Sequence, residues 1–271
     1  MSDLFRTRDH VPDFDRHVAA YAIRSAATRA RLPMQADIAY GPSPGERLDL
    51  FFPPPERATG AVHMFIHGGY WRMFGKQDFS FVAETVTAAG AIAIIVDYAL
   101  MPRVRMDTVI AQVRGARDWV LRNIGDYGGD PARFTISGHS AGAHLGALLL
   151  DASQPSGDLA GALLLSGIYD LAPLQHCFLR ELIGLTNEEV ERFSPLRVPY
   201  STGPAVSIMV GGLETLPFHE QASAFAVHLR QAGMTADMRA LAGVNHMSIV
   251  ADLGDPRTKP GSALAHLVSV A

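Results

Sequence analysis

The run Gly138-His139-Ser140-Ala141-Gly142 lies between the apolar residues 134–137 and the almost wholly apolar stretch 141–151, and it constrains this chain more than any other feature. G-x-S-x-G at such a junction describes a sharp strand-to-helix turn that lifts a serine hydroxyl clear of the backbone. The glycines are needed because the turn presses main chain against its neighbours, and side chains flanking the serine would clash. Upstream, 133–137 reads as a buried strand entered from the turn signal 127–131; downstream, 141–151 reads as a buried helix. The start of that helix aims free N–H groups and a positive dipole end at Ser140, which is part of an anion site.

The remaining chain fits around that junction. Strand-like runs at 37–40, 47–51, 61–66, 91–96, 133–137, 161–165, 205–210 and 235–241 alternate with helix-like stretches near 79–89, 106–124, 141–151, 216–231 and 260–270. Such alternation means βαβ units and a mainly parallel sheet covered on both faces. The link 41–45, rich in Gly, Pro and Ser, suits an antiparallel hairpin at one edge. Residues 13–32 read as a helix capped by Asp13, with Phe14, Val18, Tyr21 and Ser25 on one side. That helix can fold over the mouth of a site or pack on the back of the domain; both remain open.

Composition bounds what the chain can do. With 271 residues, 48% of them hydrophobic and 18% charged, it can bury one large core, so a single domain, 1–271, is expected, with 1–35 as an N-terminal helical segment. A formal charge of −4 provides no basic stripe for nucleic acid. The lone Cys177 excludes an intramolecular disulfide framework and reads as a packed thiol. The longest aliphatic run, 91–96, is too short to span a bilayer, and the first thirty residues lack an apolar leader core, so no membrane partner and a cytoplasmic location are expected. Nothing fixes an oligomeric state; a homodimer is an open alternative.

A reactive serine needs a base, a group to orient that base, and donors for an oxyanion. The best-placed base is His246, on the loop 242–246 just past the last strand-like run, where side chains gather in open parallel sheets. Of the other histidines, His139 and His144 lie in or beside the turn and read as supporting or core residues, His219 and His228 lie on a helix, and His63 within a strand. For the acid, Glu214 follows the run 205–210 through Gly211-Gly212; Asp170, after Ser166-Gly167-Ile168-Tyr169, is the rival. For the donors, His67-Gly68-Gly69 directly after a strand can aim the N–H groups of Gly68 and Gly69 at the same point as that of Ala141.

These residues resemble the α/β-hydrolase superfamily. The likeness runs from about Arg47 to His246 and is closest to hormone-sensitive-lipase-like esterases and, more narrowly, to serine arylformamidases (kynurenine formamidases). The narrow likeness rests on His67-Gly68-Gly69-Tyr70-Trp71, Gly138-His139-Ser140-Ala141-Gly142-Ala143-His144-Leu145, Ser166-Gly167-Ile168-Tyr169-Asp170-Leu171 and Gly211-Gly212-Leu213-Glu214-Thr215-Leu216-Pro217-Phe218. The resemblance implies an α/β-hydrolase fold with a mostly parallel eight-stranded sheet. It implies Ser140 as nucleophile, Glu214 as acid, His246 as base, and Gly68, Gly69 and Ala141 as oxyanion donors. Relatives usually carry aspartate where this chain has Glu214. The H-x-G-T-H-x-D pattern of the metal-dependent formamidases is absent, so neither metal nor cofactor is expected. The implied reaction is acyl transfer to water from a small-molecule amide or ester. An arylformamidase acting on N-formylkynurenine is the first expectation and a carboxylesterase of small or aryl esters the alternative; a non-catalytic ligand-binding protein would be a different class. A formyl anilide calls for a cramped acyl side and an aromatic slot, for which Tyr70, Trp71, Phe218 and Met247 are candidates.

Overall fold

The computed structural model describes residues 3–153 and 159–271. Its strands are β1 (Met34–Ala39), β2 (Arg47–Phe51), β3 (Val62–Ile66), β4 (Ile92–Val96), β5 (Phe134–His139), β6 (Leu159–Leu165), β7 (Ala205–Gly211) and β8 (Ala236–Leu241). The helices are α1 (Thr7–His10), α2 (Phe14–Arg31), α3 (Ala83–Ala88), α4 (Met106–Asn123), α5 (Ala141–Leu148), α6 (Arg180–Ile183), α7 (Asn187–Phe193), α8 (Leu216–Gln231), α9 (Ser248–Ala251) and α10 (Lys259–Val270). The eight strands form one sheet in the order β1-β2-β4-β3-β5-β6-β7-β8, antiparallel at β1/β2 and β2/β4 and parallel elsewhere.

Successive side chains of a strand point to opposite faces, and here both faces are buried, so the central strands are mostly apolar, and the buried polar side chains His63 of β3 and Thr135 and Ser137 of β5 bond one another. Val62, Met64 and Ile66 of β3 join Ile92, Ile94 and Val96 of β4 in a core shared with α4, α5 and α8. Phe65, Ala93 and Ile95 join the opposite core, closed by Phe14 and Tyr21 of α2, Val86 of α3, and Leu264 and Val268 of α10. No helix among the described residues is long and apolar enough to cross a membrane.

Two local expectations need correction, and three short helices were not anticipated. Asp13 does not cap α2 with its side chain: it sits in the left-handed region at φ 54°, and its carbonyl oxygen instead accepts the N–H groups of Arg16 and His17. The helix expected near 79–89 is one 3-10 turn, Ser80–Val82, followed by only Ala83–Ala88. Short helices α6, α7 and α9 were not apparent from periodicity, because four to seven residues hold too few turns to display one.

Register places the site. Ile66 at the end of β3 pairs with Gly138 of β5, His139 pairs with Leu165 of β6, and Gly211 of β7 pairs with Leu241 of β8. The loops that leave β3, β5, β6, β7 and β8 therefore emerge side by side at the carboxyl edge of the parallel strands, where open α/β sheets carry their sites.

Candidate active site

Ser140 stands alone between β5 and α5 at φ 55° and ψ −117°, a conformation that costs a non-glycine residue about 1–3 kcal/mol and persists only where the surroundings enforce it. Its neighbours leave no choice. A Cβ on Gly138 would lie 2.3 Å from the carbonyl oxygen of Gly142, and one on Gly142 would lie 2.0 Å from that of Ile66. Both glycines of the motif are thus fixed by backbone-to-backbone approach. The N–H of Ser140 is anchored on the carbonyl of Leu165 at 2.8 Å.

His246 follows β8, and its Nδ1 lies 2.6 Å from Oε2 of Glu214. The other carboxylate oxygen, Oε1, accepts the Ser166 hydroxyl at 2.5 Å and the N–H of Gly211 at 2.6 Å. The carboxylate is fully enclosed and the imidazole nearly so. A buried carboxylate with a donor on each oxygen is a stable arrangement, whereas an unpaired one is not. The rival acid does not reach this place: Asp170 accepts the N–H of Ala172 at 3.0 Å and faces Arg197 at 3.8 Å.

Gly68 packs on the turn. A Cβ there would meet the carbonyl oxygen of His139 at 2.8 Å and Cβ of Ser140 at 3.2 Å. Gly69 has φ 106°, which a side chain would strain. The loop after β3 and the start of α5 at Ala141 therefore converge on Ser140, the placement that two or three oxyanion donors require.

Ser140 and His246 line one small cavity together with Thr7, Phe14, Tyr21, Gly69, Tyr70, Met73, Phe74, Phe79, His139 and Met247. About 20 Å³ of it is open to the centre of a water molecule, room for roughly one water. A second small cavity on the other side of His246 is lined by Phe218, Leu213, Glu214, Thr215 and, from the N-terminal segment, Thr7, His10 and Val11. Larger surface hollows, including one of about 1000 Å³ between β8 and α10, hold none of the candidate site residues.

Three of the four residues anticipated for substrate contact thus line a cavity: Tyr70 and Met247 beside Ser140, and Phe218 beside His246. Trp71 does not. Consecutive left-handed residues Tyr70 (φ 52°) and Trp71 (φ 58°) turn its indole into the core, fully buried, where Nε1 donates to Nδ1 of His144 at 3.2 Å. Nε2 of His144 donates to the carbonyl of Phe193 at 2.8 Å, and burial holds this imidazole down to about 4.

The sequence reading missed the N-terminal residues Thr7, Phe14 and Tyr21 as cavity walls and Ser166 as a partner of the acid; His139, read as a supporting or core residue, is a partner of the loop that carries the base. Tyr21 donates to the carbonyl of Met247 at 2.5 Å, Tyr70 donates to that of Phe5, and Thr215 donates to that of Leu4 at 2.6 Å, so the segment lies over the site. Only the apolar face of α2 hinted at this, and it fitted either side of the domain. Nε2 of His139 donates to the carbonyl of His246 at 2.8 Å; its position within the motif was the one available signal.

Comparison with known proteins places the chain in a family. A family model described as alpha/beta hydrolase fold matches residues 63–250. Kynurenine formamidase of Danio rerio is 30% identical over 250 residues, covering 88% of this chain and 83% of that protein. Esterase LipQ of Mycobacterium tuberculosis is 32% identical over 223 residues, 73% of this chain and 53% of the esterase. Among solved structures, a provisionally assigned thioesterase from Silicibacter sp. tm1040 superposes with a TM-score of 0.85 at 23% identity, over 98% of this chain and 97% of that one, a likeness of fold.

Proposed function

This chain belongs to the α/β-hydrolase fold family and is a hydrolase, and we propose that it is a serine hydrolase that removes a one-carbon acyl group from an aryl amide, converting N-formylkynurenine to kynurenine and formate. The observation that carries the reading is Ser140 on a strained turn, sharing an aromatic-walled cavity of one-water size with a His246 that Glu214 holds at Nδ1. A formyl group is about as large as that space. Rings of Phe14, Tyr21, Tyr70 and Phe74 surround it and suit an aromatic leaving group once side chains of the overlying N-terminal segment shift to admit it. The formamidases among the relatives support the same class of substrate.

In this mechanism Ser140 Oγ attacks the formyl carbon while His246 takes its proton. Glu214 keeps Nδ1 protonated and stabilises the imidazolium, and the N–H groups of Gly68, Gly69 and Ala141 receive the oxyanion. His246 returns the proton to the departing aryl nitrogen, the C–N bond breaks, and formyl-serine remains. Water activated by the same imidazole releases formate and restores Ser140.

The second reading, a carboxylesterase of small acyl or aryl esters, uses the same groups and has the esterase relative in its favour. Steady-state kcat/KM for N-formylkynurenine, a generic anilide and p-nitrophenyl acetate separates the two. Preference for the formamide over a generic anilide is the expected result; no preference returns the chain to the esterases.

A further inference from the structure

We propose that Ser166 is a positioning residue whose hydroxyl fixes the Glu214 carboxylate so that a single oxygen, Oε2, faces His246. The inference rests on the reading of Ser140, Glu214 and His246 given above and deepens it.

Ser166 is the first residue after β6 and is fully buried. Its φ of 50° lies in the left-handed region that a side chain rarely adopts. A glycine would take this backbone without strain, and Gly167 stands next to it, so the position is occupied by a serine in spite of the turn. The hydroxyl explains why: it donates to Oε1 of Glu214 at 2.5 Å, beside the N–H of Gly211 at 2.6 Å. The serine's own N–H is tied to the carbonyl of Met209 in β7 at 2.7 Å, which fixes the direction from which the hydroxyl arrives.

Two donors, one from the loop after β6 and one from the end of β7, on one oxygen define the plane of the carboxylate and leave the other oxygen for Nδ1 of His246. A glutamate needs this more than an aspartate would, because it has one further freely rotating bond between backbone and carboxylate. Ser166 thus accounts for how the longer acid serves at this place.

Ser166→Ala and Ser166→Gly both remove the hydroxyl, but only glycine relieves the backbone. With p-nitrophenyl acetate, kcat is expected to fall about tenfold or more in both variants alike, the scale of a lost hydrogen bond to a charged group, with KM nearly unchanged. The glycine variant should nevertheless melt higher than the alanine variant, so activity follows the hydroxyl and stability follows the strain. A second signal needs no turnover: the Nδ1 proton of His246, shielded and hydrogen-bonded to Glu214, should give a discrete downfield NMR resonance in the wild type that broadens or vanishes in both variants. Wild-type kcat in either variant, a glycine variant whose kcat recovers in step with its melting temperature, or an unchanged downfield proton would overturn the proposal. Failure of the underlying Ser140 reading would show differently, as turnover that survives Ser140→Ala.

Discussion

His139 donates from Nε2 to the backbone carbonyl of His246 at 2.8 Å, with the two rings 4.7 Å apart. The residue before Ser140 therefore holds the loop that carries the candidate base. A carbonyl only accepts, so Nε2 bears the hydrogen, and burial together with the neighbouring imidazole keeps His139 uncharged, well below its ordinary range. His139→Leu should lower kcat about tenfold, since it leaves a buried carbonyl unpaired at a cost of about 1–3 kcal/mol and frees the loop. His139→Gln, whose amide N–H reaches a similar distance, should recover most of that loss. Equal kcat for the two variants would contradict the clamp.

Gly68 gives a steric test. An added methyl group would press on the His139 carbonyl oxygen at 2.8 Å, Nδ1 of His139 at 3.0 Å and Cβ of Ser140 at 3.2 Å, and the first of these is backbone that cannot swing away. Gly68→Ala should cut kcat about 100-fold through displacement of the oxyanion loop by a fraction of an ångström. Gly125→Ala, where a Cβ meets nothing within 4 Å, is the control and should be silent in the same assay.

Trp71 is expected to matter to stability and not to substrate. Trp71→Phe leaves Nδ1 of His144 buried without its donor, a loss of about 1–3 kcal/mol. A chain of this size should then melt roughly 2–10 °C lower, with KM for the aryl substrate unchanged. A raised KM at unaltered melting temperature would return Trp71 to the substrate cavity.

Buried imidazoles make stability depend on pH. Desolvation lowers His63 to about 3 and His67 and His144 to about 4 from an ordinary 6.5, so the folded chain leaves them uncharged where the unfolded chain protonates them. Their contribution is full above about 6.5 and is lost as pH falls toward 4. Asp97 opposes them: burial raises its carboxyl from 3.8 to about 6, so its contribution is full below 3.8 and lost as pH rises through 6. His139 is held low in the same way, so four imidazoles outweigh one carboxyl. Near pH 5 unfolding takes up roughly three protons net, and stability should drop by about 4 kcal/mol per pH unit on acidification. Urea midpoints at pH 7, 6 and 5 measure this; a flat series would contradict it.

Much of this site was legible because its signals are local. The glycines around Ser140 answer to backbone approaches within a few residues of sequence or across one strand pair; Glu214 follows a strand with a recognisable apolar run, and His246 follows one that alternates apolar and charged residues. Choosing Glu214 over Asp170 required the fold, since both follow strands. Trp71 was misplaced because two successive left-handed residues reverse the direction of the chain, and such φ values leave no mark on non-glycine residues. Phe14 and Tyr21 share the face that the periodicity of α2 marks, but periodicity does not say which side of the domain that face covers, and Thr7 lies outside it. Ser166 read only as the start of the loop after the run 161–165; its importance lies in a hydrogen bond to a residue 48 positions away.

The central claim is that Ser140 is the group acylated. Incubation with a fluorophosphonate, followed by peptide mass spectrometry and paired with turnover of N-formylkynurenine and p-nitrophenyl acetate by Ser140→Ala, tests it most directly. The account predicts one phosphonyl group on the peptide containing Ser140, and a variant that is folded, unlabelled and at least about 10⁴-fold slower. Label on another residue, or a folded variant that retains its activity, would contradict it.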